Sequence, residues 1–348
     1  MSETPPAPTR RRFGAGGPTL AEVGESALLE SLVEIAAAAG GPALAGLHGD
    51  DAAVWAAPQG SDLAVSIDCL VEDVDFRRSW ITPRQLGRRA FAVAVSDMAG
   101  TGARPTHCLA TLCARGSEHL EDILEIQRGL CEAAAAAGCA VAGGDVSAID
   151  GPLVLDVCLT GTLPCGLALR RSAGRPGDAL LVTGVLGRAA AGLRLLRDGR
   201  APATPVEERW IAAQLEPTMR VAEGRHLLDA GVRCGGDISD GLLLDAARTA
   251  RACGCAIELW ADSLPVDTQL AGRFGRGWLE LALGGGEDFE LVAAVTAADA
   301  GRLLSEWPPH LAPLRQAGVL RAGTGVRLLE HRAGMEMTLP STAAQHYR

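Results

Sequence analysis

Gly235-Gly236-Asp237-Ile238-Ser239-Asp240-Gly241-Leu242 sets two carboxylates and a hydroxyl among glycines, just ahead of Leu242 to Ala252, a stretch with helical apolar spacing. Glycine permits tight turns and close backbone approach, which suits acids that line a ligand better than acids on a solvated helix face. The same pattern recurs at Gly49-Asp50-Asp51, Ser66-Ile67-Asp68, Ser96-Asp97-Met98, Gly143-Gly144-Asp145 and Gly285-Gly286-Glu287-Asp288. Two of these acids follow apolar runs directly: Asp68 ends the alternating stretch Asp62 to Ile67, and Asp145 follows Ala140-Val141-Ala142. Ligands of open sheets gather at strand ends. Taken singly, each Gly-Asp is an Asx-turn or a cap, and Ser239 with Asp240 could cap the helix behind them. Recurrence along one chain points instead to a hard-oxygen site suited to Mg2+, which bridges nucleotide phosphates through a few carboxylates and water.

Outward from these motifs, strands and helices alternate. Thr19 with Glu22 forms a capping-box pattern opening a helix to Ala38, stopped by Gly40-Gly41. Thr82-Pro83 starts a helix running toward Met98, Thr106 to Cys113 reads as a strand, and Ser117 to Ala137 as a long helix stopped by Gly138. Short apolar runs follow at Cys139 to Ala142 and Leu153 to Leu159. In the second half, Ala179 to Val182, Ala256 to Trp260 and Leu291 to Val295 read as strands, and Arg188 to Arg197 as a helix. Thr204 to Leu228 is mainly helical, with a break at Pro217. The alternation predicts an α/β (α+β) class in two domains, with the boundary where Pro164, Gly166, Gly174 and Pro176 cluster: 19–163 and 164–348, preceded by a tail over 1–18. That tail is rich in Pro, Gly and Arg without an apolar core, so it reads as disordered rather than as a signal peptide.

Composition narrows the chemistry. All 32 basic residues are arginine, against 42 acidic ones, for a formal charge of −10. Without lysine there is no G-x-x-x-x-G-K-[ST] loop, no protein-kinase fold and no Schiff-base chemistry. Phosphate would have to be met by metal ions, arginines and backbone amides. An acidic chain without a basic stripe is a poor nucleic-acid binder. The 10 cysteines include no C-x-x-C pair, which leaves reduced thiols packed as small hydrophobes. No apolar run approaches the roughly 18 residues of a membrane helix, so the expectation is a cytoplasmic protein. Gly184-Val185-Leu186-Gly187 could seat a phosphate at the following helix, but reads first as a strand-to-helix turn.

Taken in order, Gly49-Asp50-Asp51-Ala52-Ala53, Ser66-Ile67-Asp68, Ser96-Asp97-Met98-Ala99, Gly143-Gly144-Asp145, Arg171-Ser172-Ala173-Gly174-Arg175-Pro176-Gly177-Asp178, Asp237-Ile238-Ser239-Asp240-Gly241-Leu242 and Gly285-Gly286-Glu287-Asp288-Phe289-Glu290-Leu291 resemble thiamine-monophosphate kinase, of the aminoimidazole ribonucleotide synthetase-like superfamily. The resemblance runs in register from Thr19 to Leu291. It implies an N-terminal α/β domain that dimerises through its sheet, a C-terminal α/β domain, and direct transfer of a phosphoryl group from ATP to thiamine monophosphate with Mg2+. On the matching positions it implies a metal set of Asp51, Ser66, Ile67, Asp68, Asp97, Asp145, Asp237 and Asp240. Gly144, Asp145, Arg171 and Ser239 lie on the ATP side, Asp75 and Glu287 meet the substrate, and Asp68, Asp145 and Asp240 carry the chemistry. Such a transfer needs in-line positioning and charge stabilisation more than a covalent nucleophile.

The chain departs from the family pattern at named places. Asp75-Phe76 stands where a substrate-contacting His precedes Phe; Ala94 replaces an Asn; Ile67 replaces a Thr; and Ala344 replaces an aromatic. The metal half is therefore largely kept, with a hydroxyl lost at Ile67, while the substrate half is altered at two places. Two other readings stay open: a related Mg2+/ATP-dependent enzyme with a different small acceptor, and a nucleotide-binding inactive paralogue. Selenophosphate synthetase would need a lysine, and the hydrogenase-maturation relatives a C-terminal Cys where this chain has His346-Tyr347-Arg348.

Overall fold

The computed structural model describes residues 12–14, 16–23, 25–39, 59–331 and 334–340. Among them the elements in chain order are α1 (Leu20–Val23), α2 (Glu25–Ala39), β1 (Ser61–Val71), α3 (Pro83–Thr101), β2 (Arg104–Ala114), α4 (Leu120–Ala136), β3 (Ala140–Ala148) and β4 (Val154–Pro164). There follow β5 (Ala179–Thr183), α5 (Arg188–Arg197), α6 (Pro205–Leu215), α7 (Val221–Asp229), β6 (Cys234–Ile238), α8 (Leu242–Cys253), β7 (Ala256–Trp260), α9 (Gln269–Phe274) and α10 (Trp278–Gly284). The last are β8 (Glu290–Val295), α11 (Ala297–Glu306), β9 (Leu314–Arg321), β10 (Gly325–Leu329) and β11 (Glu336–Met337). The strands form a four-stranded sheet in the order β1-β4-β2-β3 and a seven-stranded sheet in the order β11-β10-β7-β9-β5-β8-β6. This is the mixed α/β architecture expected.

Helix starts follow the local chemistry. Thr19 N–H donates to Glu22 Oε2 at 2.7 Å while Glu22 N–H returns to Thr19 Oγ1 at 3.4 Å, a reciprocal capping box. Thr82 and Gln85 make a second one ahead of α3, at 3.1 and 3.3 Å, with Pro83 as the first helical residue. α4 begins at Leu120, later than the Ser117 expected. The break at Pro217 separates α6 from α7. Within the stretch 1–18, Leu120 N–H donates to Pro18 O at 2.7 Å and Gly14 N–H to Asp122 Oδ2 at 2.7 Å.

Several strands run further than the sequence suggests, and in β1 and β3 this moves two acids. Asp68 does not end its strand, because β1 continues to Val71, and Asp145 lies inside β3. In β3 the reason is a glycine: a Cβ on Gly144 would stand 1.9 Å from Ala110 O. Its absence lets the parallel pairing with β2 continue through Thr111↔Asp145 to Ala114↔Ala148. Strand β6, rich in glycine and poor in β-formers, is fully buried and pairs antiparallel with β8 from Cys234↔Ala294 to Ile238↔Glu290.

The described residues fall into two compact units, one drawn from the ranges 1–56, 67–91 and 107–158, the other from 57–66, 92–106 and 159–348. The second unit holds the seven-stranded sheet over an aliphatic core that includes Leu180, Leu186, Leu242, Ile257, Leu283 and Val292. The end of α3 belongs to it as well. Gly224 of α7 lies so close to α3 that a Cβ would sit 2.0 Å from Ala99 O, and a Cβ on Gly100 of α3 would sit 2.7 Å from Asp237 N in β6. Backbone cannot step aside there as a side-chain tip can. No helix among the described residues is long and apolar enough to cross a membrane.

Gly100→Ala should therefore destabilise the fold by about 1–3 kcal/mol through overpacking. Gly301→Ala, in α11 with nothing within 4 Å of the added methyl, should be neutral or stabilising by up to about 1 kcal/mol. Calorimetric melting of the two variants checks the contrast.

Candidate active site

The close approach of α3 to β6 delivers two acids to one place. Ser96 Oγ–H donates to Asp237 Oδ2 at 2.9 Å, and the neighbouring Asp97 accepts from Ser66 Oγ–H of β1. Burial first, and the facing Asp97 carboxylate second, push the Asp237 carboxyl up to about 6. Arg171 is the counterweight. Its guanidinium reaches Asp237 O at 2.8 Å, Asp237 Oδ1 at 3.1 Å and Asp245 Oδ1 at 3.4 Å. Gly236 makes room for it, since a Cβ there would stand 2.6 Å from Arg171 Cζ.

A ladder of alternating charge continues from this point. Asp245, wholly buried in α8, also accepts from Arg248 Nη1 at 2.8 Å, and Arg248 Nη2 donates to Asp240. Burial raises the Asp245 carboxyl, and the two arginines oppose the rise. Asp245 Oδ2 further accepts from Asp240 N–H at 3.1 Å. The first turn of α8 is thus held by Asp245 reaching back, and the N-cap Gly241 makes no side-chain cap bond.

The loop before β8 is the third part. Glu287 and Phe289 have φ of 69° and 49°, left-handed values that cost a non-glycine residue about 1–3 kcal/mol each. The strain is held by pairing: Glu287 N–H donates to Ser239 O at 2.7 Å and Phe289 N–H to Ile238 O at 3.0 Å. Asp288 between them accepts from Gly187 N–H at 2.7 Å and Ala189 N–H at 3.1 Å. It thereby occupies the start of α5 and makes Gly184 to Gly187 a strand-to-helix turn. Burial pushes the Asp288 carboxyl up to about 7 against the pull of these donors. The Glu287 side chain accepts from Gln214 Nε2–H of α6.

The structure thus brings Ser66, Asp97, Arg171, Asp237, Ser239, Asp240 and Glu287 into one compact unit. Ile67, Asp68, Asp75, Gly144 and Asp145 lie in the other. Ile67 is 61% exposed, and Asp145 is exposed on β3. Asp75 accepts from Val71 N–H at 2.8 Å, closing a turn in which Asp73 takes φ 66°. Ala94 is fully buried in α3. Asp51 and Ala344 lie outside the described residues. Sequence reasoning missed Asp245, Arg248 and Gln214, and quoted Ser96 only as the neighbour of Asp97. Asp245, three residues into α8, reads as an ordinary acid of a helix's first turn, and nothing local marks it as buried.

The Asp97–Asp237 arrangement offers two carboxylates and two hydroxyls, hard donors whose mutual repulsion a divalent cation would relieve, so these residues fit Mg2+. Among the described residues no group of three Asp, Glu, His or Cys side chains is arranged to hold a metal by itself. Mg2+ commonly takes one or two carboxylates and completes its shell with water and substrate phosphates.

The family model described as "AIR synthase related protein, N-terminal domain" matches residues 49–163. Thiamine-monophosphate kinase of Bacillus subtilis is 31% identical over 302 residues, covering 86% of this chain and 93% of the relative. The chain belongs to the thiamine-monophosphate kinase family. Among solved members of that family, the Stenotrophomonas maltophilia protein superposes with a TM-score of 0.79 at 32% identity, over 87% of this chain and 97% of its own. A second, AaThiL complexed with AMPPCP and TMP, superposes with a TM-score of 0.71 at 29% identity, over 90% of this chain and 96% of its own.

Removing Arg171 leaves Asp237 and Asp245 facing each other without their shared cation. Arg171→Ala should cost about 3 kcal/mol of stability near neutral pH. The carboxyl of Asp237 titrates near 6 when folded against an ordinary 3.8, so the folded state binds the extra proton and stability falls as pH rises through that interval. The variant should steepen this fall, so its deficit in denaturant unfolding grows from about pH 5 to about pH 7.

Proposed function

We propose that the chain transfers the γ-phosphoryl group of ATP to the terminal phosphate oxygen of thiamine monophosphate, giving ADP and thiamine diphosphate. The observation that carries this reading is the Asp97–Asp237 junction with its Ser66 and Ser96 hydroxyls, in a chain of this family. The bond from the γ-phosphorus to the bridging oxygen of ADP breaks as the bond to the acceptor oxygen forms. That acceptor phosphate is already ionised near neutral pH, so no strong base is required. AaThiL was solved with an ATP analogue and TMP together, which supports both co-substrates.

In this reading the Mg2+ ions, when bound, neutralise phosphate charge in a transition state that is mostly positioning. Their ligands are Asp51, Ser66, Ile67, Asp68, Asp97, Asp145, Asp237 and Asp240. Gly144, Asp145, Arg171 and Ser239 serve the ATP side, and Glu287 and Asp75 the acceptor. Of the metal set, Asp68, Asp145 and Asp240 are the ones this reading assigns to catalysis. The N-terminal domain ends near 163. The chain works in the cytoplasm as a homodimer, with the outward row Leu63, Val65 and Ile67, 62%, 69% and 61% exposed, as the surface a second copy covers. One observation favours a different acceptor: Asp75, at the position of the family's substrate-contacting histidine, spends its carboxylate on Val71 N–H.

Purified protein incubated with ATP and thiamine monophosphate should form thiamine diphosphate with Mg2+ and none with chelator. Asp97→Asn should lower kcat/KM by about a hundredfold or more. ATP turnover that requires some other phosphorylated acceptor would replace this reading with the second one.

A further inference from the structure

Helix α6 carries a polar residue where its packing calls for an apolar one. Thr204 Oγ1 caps it by accepting from Glu207 N–H at 3.2 Å, and Pro205 opens it. Its inner face runs Val206, Trp210, Gln214 at intervals of one turn, with exposures of 9%, 1% and 4%. The helix cannot slide on its neighbour α5. A Cβ on Gly192 would stand 2.1 Å from Trp210 O, and Trp210 Nε1–H is tied to Asp267 Oδ2 at 3.4 Å. A leucine or methionine at 214 would continue this face at no desolvation cost, whereas a buried amide costs about 1–3 kcal/mol unless it is hydrogen-bonded. Gln214 spends its Nε2–H on the Glu287 carboxylate. That carboxylate stands on a backbone already held at φ 69° by Ser239 O.

We propose that Gln214 is a positioning residue that aims the Glu287 carboxylate at the acceptor, and so sets affinity for the acceptor's amino-bearing, cationic ring system rather than for its phosphate. This rests on the reading that Glu287 meets thiamine monophosphate, whose aminopyrimidine offers N–H donors and whose thiazolium carries a positive charge. An anionic oxygen aimed by a rigid helix recognises both. The same reading gives the phosphoryl-transfer chemistry to the metal-binding aspartates and not to Glu287, so Gln214 should act on acceptor binding and leave nucleotide binding alone.

The test is a double-mutant cycle on full-length protein, with thiamine monophosphate binding measured by calorimetry, and KM for both co-substrates measured by product formation. Gln214→Met keeps the length and removes the donor. It should weaken thiamine monophosphate binding about tenfold, leave KM for ATP within about twofold, and keep or raise the melting temperature. Glu287→Gln should weaken acceptor binding at least as much, and Gln214→Met in that background should add nothing further. Gln214→Leu is the second apolar variant should the methionine pack poorly. Equal loss for ATP and acceptor, unaltered acceptor binding, or full additivity of the two substitutions would each overturn the inference while leaving the kinase reading intact. Wild-type protein that binds no thiamine monophosphate would overturn both together, and that outcome is read before any variant is made.

Discussion

The site depends on how near α3 lies to β6. Gly100 puts the helix within a missing methyl of the Asp237 backbone, and Gly224 does the same for α7 against Ala99. These two contacts fix the angle at which α3 ends, and its last turns carry Ser96 and Asp97. Asp237 could not be both buried and faced by a second carboxylate unless packing forced it. The fold holds the like charges together through backbone contact and sets Arg171 against them.

The absence of lysine becomes intelligible in this light. A guanidinium is planar, permanently charged and able to serve two carboxylates at once. Arg171 joins Asp237 to Asp245, Arg248 joins Asp245 to Asp240, and Arg220 grips Glu290 with contacts at 2.6 and 2.7 Å. The acids that line the site are thus fixed in direction by a rigid framework. A compact ammonium on a flexible stem would neutralise them without orienting them. The strained loop at Glu287 is the second device of this kind, since three separate elements hold it in place: the end of β6, the start of α5 and helix α6.

Much of this was legible in the sequence because it was written in local rules. The Thr19 and Thr82 helix starts, the Pro217 break and the glycine-flanked acids all act within a few residues. What could not be read were consequences of partners far along the chain. Gly143-Gly144 looked like the end of a strand, but the missing Cβ at 144 is what lets β3 stay paired with β2 through Asp145. Cys234 to Ile238 has the composition of a loop and becomes a strand because β8 and the core enclose it. Asp245 and Gln214 sit at ordinary helical positions, and only the fold reveals that each is buried and spent on a distant charge. Metal ligation and nucleotide contact were read through family resemblance, which local spacing supports but does not by itself dictate.

The central claim is that Asp97 and Asp237 together form a cation site completed by the nucleotide. Electron paramagnetic resonance titration of Mn2+, with and without a non-hydrolysable ATP analogue, tests it most directly. The account predicts tight Mn2+ binding that requires the analogue, with at least one equivalent lost in Asp97→Asn while the variant's melting temperature is kept. Unchanged stoichiometry and affinity in that variant would contradict it.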